Sequence, residues 1–160
     1  MENQKKLALI ATKGTLDWAY PPFILASTAA ALGYEAQIFF TFYGLNLLKK
    51  NIDLKISPLG NPGMPMPMGM DKWFPTIGTA LPGMESMMTA MMKKKMKSKG
   101  IASVEELRDL CIEADVKLIA CQMTVDLFDF NKDDLIDDIE TGGAATFFEF
   151  AGQADVSLFV

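Results

Sequence analysis

The sequence predicts an α/β fold built on a mostly parallel sheet of about five strands flanked by helices. A continuous apolar run at residues 7–11 is typical of a strand that is buried on both faces. Apolar strands and helical patterns then alternate along the chain, as they do in parallel sheets with right-handed crossovers. The length of 160 residues suits one domain with one substantial core. We therefore expect a single domain over residues 1–160.

The predicted elements follow from apolar spacing and from the residues that start or stop each segment. In order they are a strand at 7–11, a helix at 21–32, a strand at 36–43, a short helix at 45–48, a helix at 84–99, a helix from 103, a strand at 116–120, an acidic helical turn within 131–140, a helix at 144–151 and a strand at 156–160. Pro21-Pro22 suits the first turn of a helix, and Gly33 suits the position just after its end. Ser103 followed by Glu106 is a capping-box signature.

Residues 58–99 interrupt this alternation of strands and helices. Residues 58–83 hold six of the eight prolines, and such a density forbids a central strand or a regular helix. The methionines at 64–70 alternate with proline or glycine in an extended chain, which disfavours a copper site that needs converging sulfurs. The methionine stripe at 84–92 has helical spacing, and lysines crowd its carboxyl end. We interpret this Met-rich region as the contact surface of a homo-oligomer.

Composition excludes several classes of function. The absence of histidine removes imidazole bases and His-ligated metals. The net charge of −5 argues against nucleic acid as a partner. The acidic run at 126–140 lacks the spacing of a calcium loop, and no phosphate-binding loop is present. The methionine helix has no aromatic anchor of its own, which disfavours contact with a membrane surface, although Trp73 and Phe74 lie just upstream. We expect a cytoplasmic protein without metal or cofactor.

Cys121 is the strongest nucleophile in a position suited to chemistry. It follows the strand at 116–120, and open parallel sheets bind ligands at the carboxyl ends of their strands. If a helix begins directly after it, the free amides of residues 122–124 favour the thiolate. A small apolar residue that merely ends a strand is the plainer alternative, and the residue pattern leaves it open. Further candidate binding residues share this edge of the sheet: Lys13, a possible counter-charge, Gly14, Phe42, Tyr43, Gln122 and Met123.

Cys111 is a secondary candidate. It lies on the apolar stripe of the helix that begins after Ser103, which favours a core thiol. A disulfide with Cys121 requires the backbone to move, because the strand carries Cys121 on the order of 13 Å from its start. A reversible couple of the two thiols nevertheless stays open.

The segment at 116–123 and the order of motifs in the tail resemble the DsrE/DsrF/TusD-like sulfur-relay proteins. The tail motifs are residues 135–137, the Gly142-Gly143 segment through Phe147, and residues 154–156. The Met/Pro insertion and the second cysteine resemble the longer DsrE-like branch found beside TusA and rhodanese proteins. The resemblance implies a three-layer, flavodoxin-like domain, and it implies that Cys121 carries sulfane sulfur as a persulfide or thiosulfonate, with Cys111 as the second cysteine of the branch.

The function that follows is a sulfur carrier or sulfurtransferase that exchanges sulfur with a TusA-type or rhodanese partner. Phe42, Tyr43 and Met123 can supply apolar walls, and Lys13 can hold an anionic thiosulfonate. Transfer between sulfur atoms requires neither a metal nor an imidazole base. Two alternatives stay open, namely a non-catalytic oligomeric scaffold with structural thiols and a dithiol redox protein.

Overall fold

The computed structural model of the chain describes residues 4–57 and 81–160. These residues belong to two compact units. The first unit comprises the chain through Gly14, Trp18–Ile52 and Ser103–Val160, and the second comprises Thr15–Asp17 with Asp53–Ala102. The proline-alternating methionines at 64–70, Trp73 and Phe74 lie outside the described residues.

The first unit contains a sheet of five parallel strands. They are β1 (Lys6–Ala11), β2 (Glu35–Phe40), β3 (Lys117–Cys121), β4 (Glu140–Gly142) and β5 (Val156–Phe159). Their order across the sheet is β4-β3-β2-β1-β5, so each strand through β4 adds to one side and β5 returns to the other side of β1. All three central strands are nearly continuous apolar runs, as burial on two faces requires.

Helices pack on both faces of this sheet. The α-helices within residues 4–57 and 81–160 are α1 (Leu16–Ala31), α2 (Met84–Ser98), α3 (Val104–Glu113), α4 (Gln122–Leu127) and α5 (Ala144–Ala151). On one face the ring of Phe23 in α1 lies 5.8 Å from that of Phe40 in β2. The adjacent Phe39 points to the other face, where its ring lies 5.5 Å from that of Phe147 in α5. The result is a three-layer, flavodoxin-like α/β arrangement, which confirms the predicted fold class.

The predicted capping box is present at the start of α3. The Ser103 hydroxyl accepts a hydrogen bond from the Glu106 amide, and the Glu106 carboxylate accepts one from the Ser103 amide. In the middle of the helix, Arg108 is buried and donates to the carbonyls of Leu47 and Lys49, at 3.1 and 2.7 Å. Helix α3 is therefore fixed at its start by its own cap and tied by Arg108 to the loop after β2.

Helix α1 begins earlier than the prolines predict. It starts at Leu16, so Pro21 and Pro22 lie inside it rather than in its first turn. The Leu16 amide donates to the Lys55 carbonyl, a partner distant in sequence that satisfies one free amide of the helix start. Gly33 has a φ of +84° and ends the helix as expected.

The second predicted strand also differs from its prediction. Strand β2 ends at Phe40, and Phe42–Leu48 forms a 3₁₀ helix. Phe42 and Tyr43 therefore lie in this helix and not at a strand end, because Phe42 adopts a left-handed φ of +47° that turns the chain away from the sheet. Strand β4 was not predicted at all, since its three residues carry no apolar pattern.

In the second unit, α2 packs against the chain that leads away from Ile52. The Ile56 amide donates to the Thr89 hydroxyl at 3.0 Å, and Lys93 lies 3.9 Å from the Asp53 carboxylate. Met87 and Met91 remain exposed on this helix. Among the described helices, none combines the length and the apolar character that crossing a membrane demands.

Candidate functional site

Cys121 is the last residue of β3 and the residue from which α4 begins. Its neighbour in β4 is Gly142, which carries no side chain. On the β2 side, Thr41 follows directly after the strand. Cys121 is buried, with 5% of its surface exposed. The local sequence thus places one cysteine at the carboxyl edge of the sheet, where a strand changes into a helix.

The surroundings of Cys121 favour its thiolate. Burial raises the pKa of the thiol, but hydrogen bonds from the Thr124 hydroxyl and amide, the Thr41 hydroxyl and the Met123 amide together bring the pKa below its usual value. The two hydroxyl oxygens lie 3.1 Å apart. The Thr124 oxygen also accepts a hydrogen bond from the Phe42 amide at 3.2 Å, which fixes the orientation of the hydroxyl. Donors held in this way stabilise a sulfur anion without a cation.

Cys111 has the opposite environment. It is fully buried, and its thiol donates to the Phe23 carbonyl at 3.4 Å. Burial raises the pKa of Cys111 to about 12, although a hydrogen bond with the Ser27 backbone lowers it slightly. At neutral pH its thiolate fraction is on the order of 10⁻⁵. Cys111 therefore has the properties of a core thiol.

The two cysteines lie on opposite faces of the sheet. Register and alternation put Cys121 on the face that carries Phe39, which is covered by α5. Cys111 contacts Phe23, which packs on Phe40 on the other face. Both thiols are free. This separation argues against a direct dithiol couple.

The structure does not place the predicted counter-charge among the groups that lower the pKa of Cys121. The ammonium of Lys13 lies 3.1 Å from the centre of the Trp18 ring, and the groups that act on Cys121 are hydroxyls and amides. Its role toward an anionic adduct stays a prediction. Gly14 lies so close to the Tyr43 carbonyl that a Cβ would overlap it, so this loop requires glycine.

Gln122 and Met123, which directly follow Cys121, use different groups: Met123 uses its backbone amide and Gln122 its side chain. The Met123 amide contributes to the cysteine's hydrogen bonds, while its side chain is exposed. The Gln122 side chain donates to Asp126 at 2.7 Å, one turn along α4. The Gln122 side chain is therefore engaged in a hydrogen bond on the surface of α4. The exposed, apolar side chain of Met123 lies at the edge of the site.

Phe42 and Tyr43 meet aromatic rings from the segment after α4. The Tyr43 ring stacks on Phe128 at 5.6 Å, and the Phe42 ring meets Phe128 edge-on at 6.3 Å. Phe128 in turn lies 6.3 Å from Phe130. These four side chains form an aromatic cluster that the Phe42 amide connects to Thr124 and hence to the cysteine.

Three residues of this arrangement were not singled out from the sequence. The hydroxyls of Thr41 and Thr124 could not be identified because their proximity depends on the pairing of β2 with β3. The amide of Thr124 was anticipated, but its hydroxyl was not. Phe128 gave one usable signal, namely a large apolar residue within an otherwise acidic segment.

Fold and site together define a small parallel α/β protein with one cysteine, of lowered pKa, at a strand end. The chain belongs to the DsrE/DsrF/DrsH-like family, whose sequence profile matches residues 3–159. It is 75% identical over 158 residues to the "Sulfur carrier protein DsrE2" of Allochromatium vinosum, with 99% of each chain covered. It is 34% identical over 162 residues to the "Uncharacterized protein YrkE" of Bacillus subtilis, again with 99% of each covered.

A solved structure confirms the fold at much lower identity. The crystal structure of the YchN protein from E. coli superposes with a TM-score of 0.59 at 11% identity, over 99% of this chain and 100% of the other. The order of elements along this chain is therefore that of a known fold.

Proposed function

We propose that the protein is a sulfur carrier in which Cys121 accepts sulfane sulfur and passes it to another protein thiol. The observation that carries this proposal is the hydroxyl and amide shell that lowers the pKa of Cys121. The name of the Allochromatium relative, a sulfur carrier, supports it at 75% identity. The separation of the two thiols by the sheet also favours a single-cysteine carrier over a dithiol redox protein.

The proposed transfer breaks and forms bonds between sulfur atoms only. The Cys121 thiolate attacks the terminal sulfane sulfur of a donor such as a polysulfide, an S–S bond of the donor breaks, and the shortened polysulfide leaves with the electron pair. The product is Cys121–S–S⁻, and the same hydroxyls and amides can hold its negative charge. With tetrathionate, attack on an inner sulfur releases thiosulfate and leaves a thiosulfonate adduct on Cys121.

Delivery reverses the loading step. A thiolate of the receiving protein attacks the outer sulfur of the persulfide, the Cys121–sulfur bond breaks, and Cys121 leaves as a thiolate. A leaving thiol of low pKa accelerates such a transfer. The same lowered pKa therefore serves both accepting and delivering sulfur.

We extend the proposal to partners and assembly. The receiving protein is a TusA-type carrier or a rhodanese, and transfer takes place in the cytoplasm. The whole chain acts as one DsrE-like domain, and copies associate through the Met-rich region at 58–99. In the described part of that region, exposed Met87 and Met91 support this role.

Intact-protein mass spectrometry tests the site. Wild type, Cys121→Ser and Cys111→Ser are each incubated with polysulfide and, separately, with tetrathionate. We expect wild type and Cys111→Ser to gain the mass of one sulfur or one thiosulfonate, and Cys121→Ser to gain neither. Loss of the adduct only in Cys111→Ser would move the site, and no adduct on wild type would favour a scaffold with structural thiols.

A further inference from the structure

An open cavity of about 270 Å³ lies in the first unit beside the aromatic cluster. The four rings of the cluster, Phe42, Tyr43, Phe128 and Phe130, all line it. Three of them are unusually exposed for aromatic side chains: Phe42 at 43%, Tyr43 at 63% and Phe128 at 40%. A contiguous exposed aromatic patch is a common mark of an interaction site.

The polar residues of the cavity favour a cation. Asp129 and Asp134 line it, and neither carboxylate is in an ion pair within residues 4–57 and 81–160. Lys49 is the one basic side chain among the described lining residues. Two carboxylates against one ammonium leave the cavity with a net negative charge.

Lys49 shows that one ring of the cluster, Phe130, already contacts a positive group. Its ammonium lies 5.1 Å from the centre of the Phe130 ring, within the range of a cation–π interaction. The stacked Tyr43 and Phe128 rings add further aromatic surface beside the carboxylates. A second cation in the same cavity can therefore contact aromatic surface and also pair with a carboxylate.

One lining residue, Phe42, has an unfavourable backbone conformation. Phe42 has a φ of +47°, in the left-handed region that a bulky aromatic residue rarely adopts, whereas aspartate tolerates the similar φ of +49° at Asp129. Strained conformations of this kind cluster at ligand sites. Here the Phe42 ring lines the cavity while the Phe42 amide donates to Thr124, which hydrogen-bonds to Cys121.

We propose that this cavity receives an arginine side chain of the protein that exchanges sulfur with Cys121, an inference that rests on the proposed sulfur-carrier function. A guanidinium is planar, stacks on aromatic rings and donates in a fork to carboxylates, so it uses both features of the cavity. The link through Phe42 and Thr124 places the docked arginine next to the elements that hold the reactive thiol. The partner would thus be oriented by a basic anchor while its own thiol approaches Cys121.

Titration with N-acetyl-arginine amide, followed by ¹H–¹⁵N NMR, tests the cavity directly. We expect saturable shifts at the amides of Phe42, Tyr43 and Asp129 at concentrations on the order of tens of millimolar or below. The neutral N-acetyl-citrulline amide, which has nearly the same shape, should bind about fivefold more weakly, as expected for loss of a partly exposed ionic contact. Equal binding of the two probes, no saturable shift, or stronger shifts with N-acetyl-glutamate amide would each overturn the proposal.

A matched pair of double variants tests whether the carboxylates of the cavity attract the arginine. The double variant Asp129→Asn with Asp134→Asn keeps the shape of the cavity, and asparagine tolerates the left-handed φ at 129. It should weaken arginine binding about fivefold. The control, Asp138→Asn with Glu113→Gln, removes the same number of charges from exposed positions that do not line the cavity, and it should bind as wild type does. Equal weakening in both variants would show a general charge effect and contradict the site.

The same titration on Cys121→Ser separates this inference from the proposed function. Arginine binding needs no thiol, so it should persist in that variant. If arginine binds but wild type takes up no sulfur, the carrier function fails while the cavity remains a cation site. If sulfur loads on Cys121 but arginine does not bind, the docking inference alone fails.

Discussion

Thr124 is the residue on which the state of Cys121 most depends. It is fully buried, and its hydroxyl accepts from the Phe42 amide while meeting the Thr41 hydroxyl and the cysteine. Its amide acts on the same sulfur. One side chain therefore connects the Cys121 thiol to the 3₁₀ helix after β2.

Replacement of this hydroxyl should make Cys121 less reactive. In Thr124→Val the thiol loses a donor, so its pKa rises, the thiolate fraction at neutral pH falls, and the pH midpoint of alkylation moves upward. We expect alkylation near pH 7 to slow about tenfold, because a hydrogen bond to a charged group contributes about 1.5 kcal/mol. Measuring iodoacetamide rates against pH checks this.

Thr124→Ser is the matched control, since it keeps the hydroxyl and loses only a methyl group. Its pH midpoint should remain close to that of wild type. An unchanged midpoint in Thr124→Val would mean that the amides alone set the pKa of Cys121.

At the scale of elements, the carboxyl ends of β1 and β2 are fixed to each other through close backbone contacts. A Cβ on Gly44 would overlap the Ala11 carbonyl, and the Gly44 amide donates to the Thr12 carbonyl at 3.1 Å. Gly14 makes the reciprocal approach to Tyr43. The 3₁₀ helix that carries Phe42 is held in place by these contacts.

Gly44→Ala should therefore destabilise the protein. The methyl group meets backbone atoms that cannot rotate away, and overpacking of this kind costs about 1–3 kcal/mol. Urea unfolding should show a lower midpoint with an unchanged slope. Gly143→Ala is the control, because a Cβ there meets nothing within 4 Å. Gly143 is the N-cap of α5, where alanine is less favourable than glycine, so we expect a smaller loss there. An equal loss in both variants would contradict the close contact.

The elements also show what sequence reasoning can reach. Strand β1, the capped helix α3 and the thiol at the end of β3 follow from local signals, namely apolar runs, the Ser103–Glu106 pair and residue order. Strand β4 and the early start of α1 do not, because each depends on a partner far along the chain. The Thr41–Thr124 contact was out of reach for the same reason.

At the scale of the whole molecule, charged substitutions on α2 can test whether copies of the chain associate through this helix. Met87 and Met91 are 48% and 42% exposed on α2. If they lie at a contact between copies, Met87→Glu with Met91→Glu should shift the protein to a smaller species in light scattering after gel filtration, since buried carboxylates are costly. The helix itself should still form.

Ser86→Glu with Ala90→Glu is the matched control on an adjacent strip of the same helix, where both residues are exposed. It adds the same charge at the same spacing and should leave the oligomeric state unchanged. A wild type that is already monomeric, or a methionine variant of unchanged size, would contradict association through this helix.

Because the sheet separates the two cysteines, the rates at which their thiols are labelled report two independent properties of the chain. We expect a small reagent to reach Cys121, which is 5% exposed, in the folded protein. It can label Cys111 only when the core opens, because that thiol is fully buried and its pKa lies at about 12. The slow labelling rate of Cys111 should therefore report how often the native protein unfolds. Comparing that rate with and without sulfur on Cys121 would show, in a single untagged chain, whether cargo changes the lifetime of the fold.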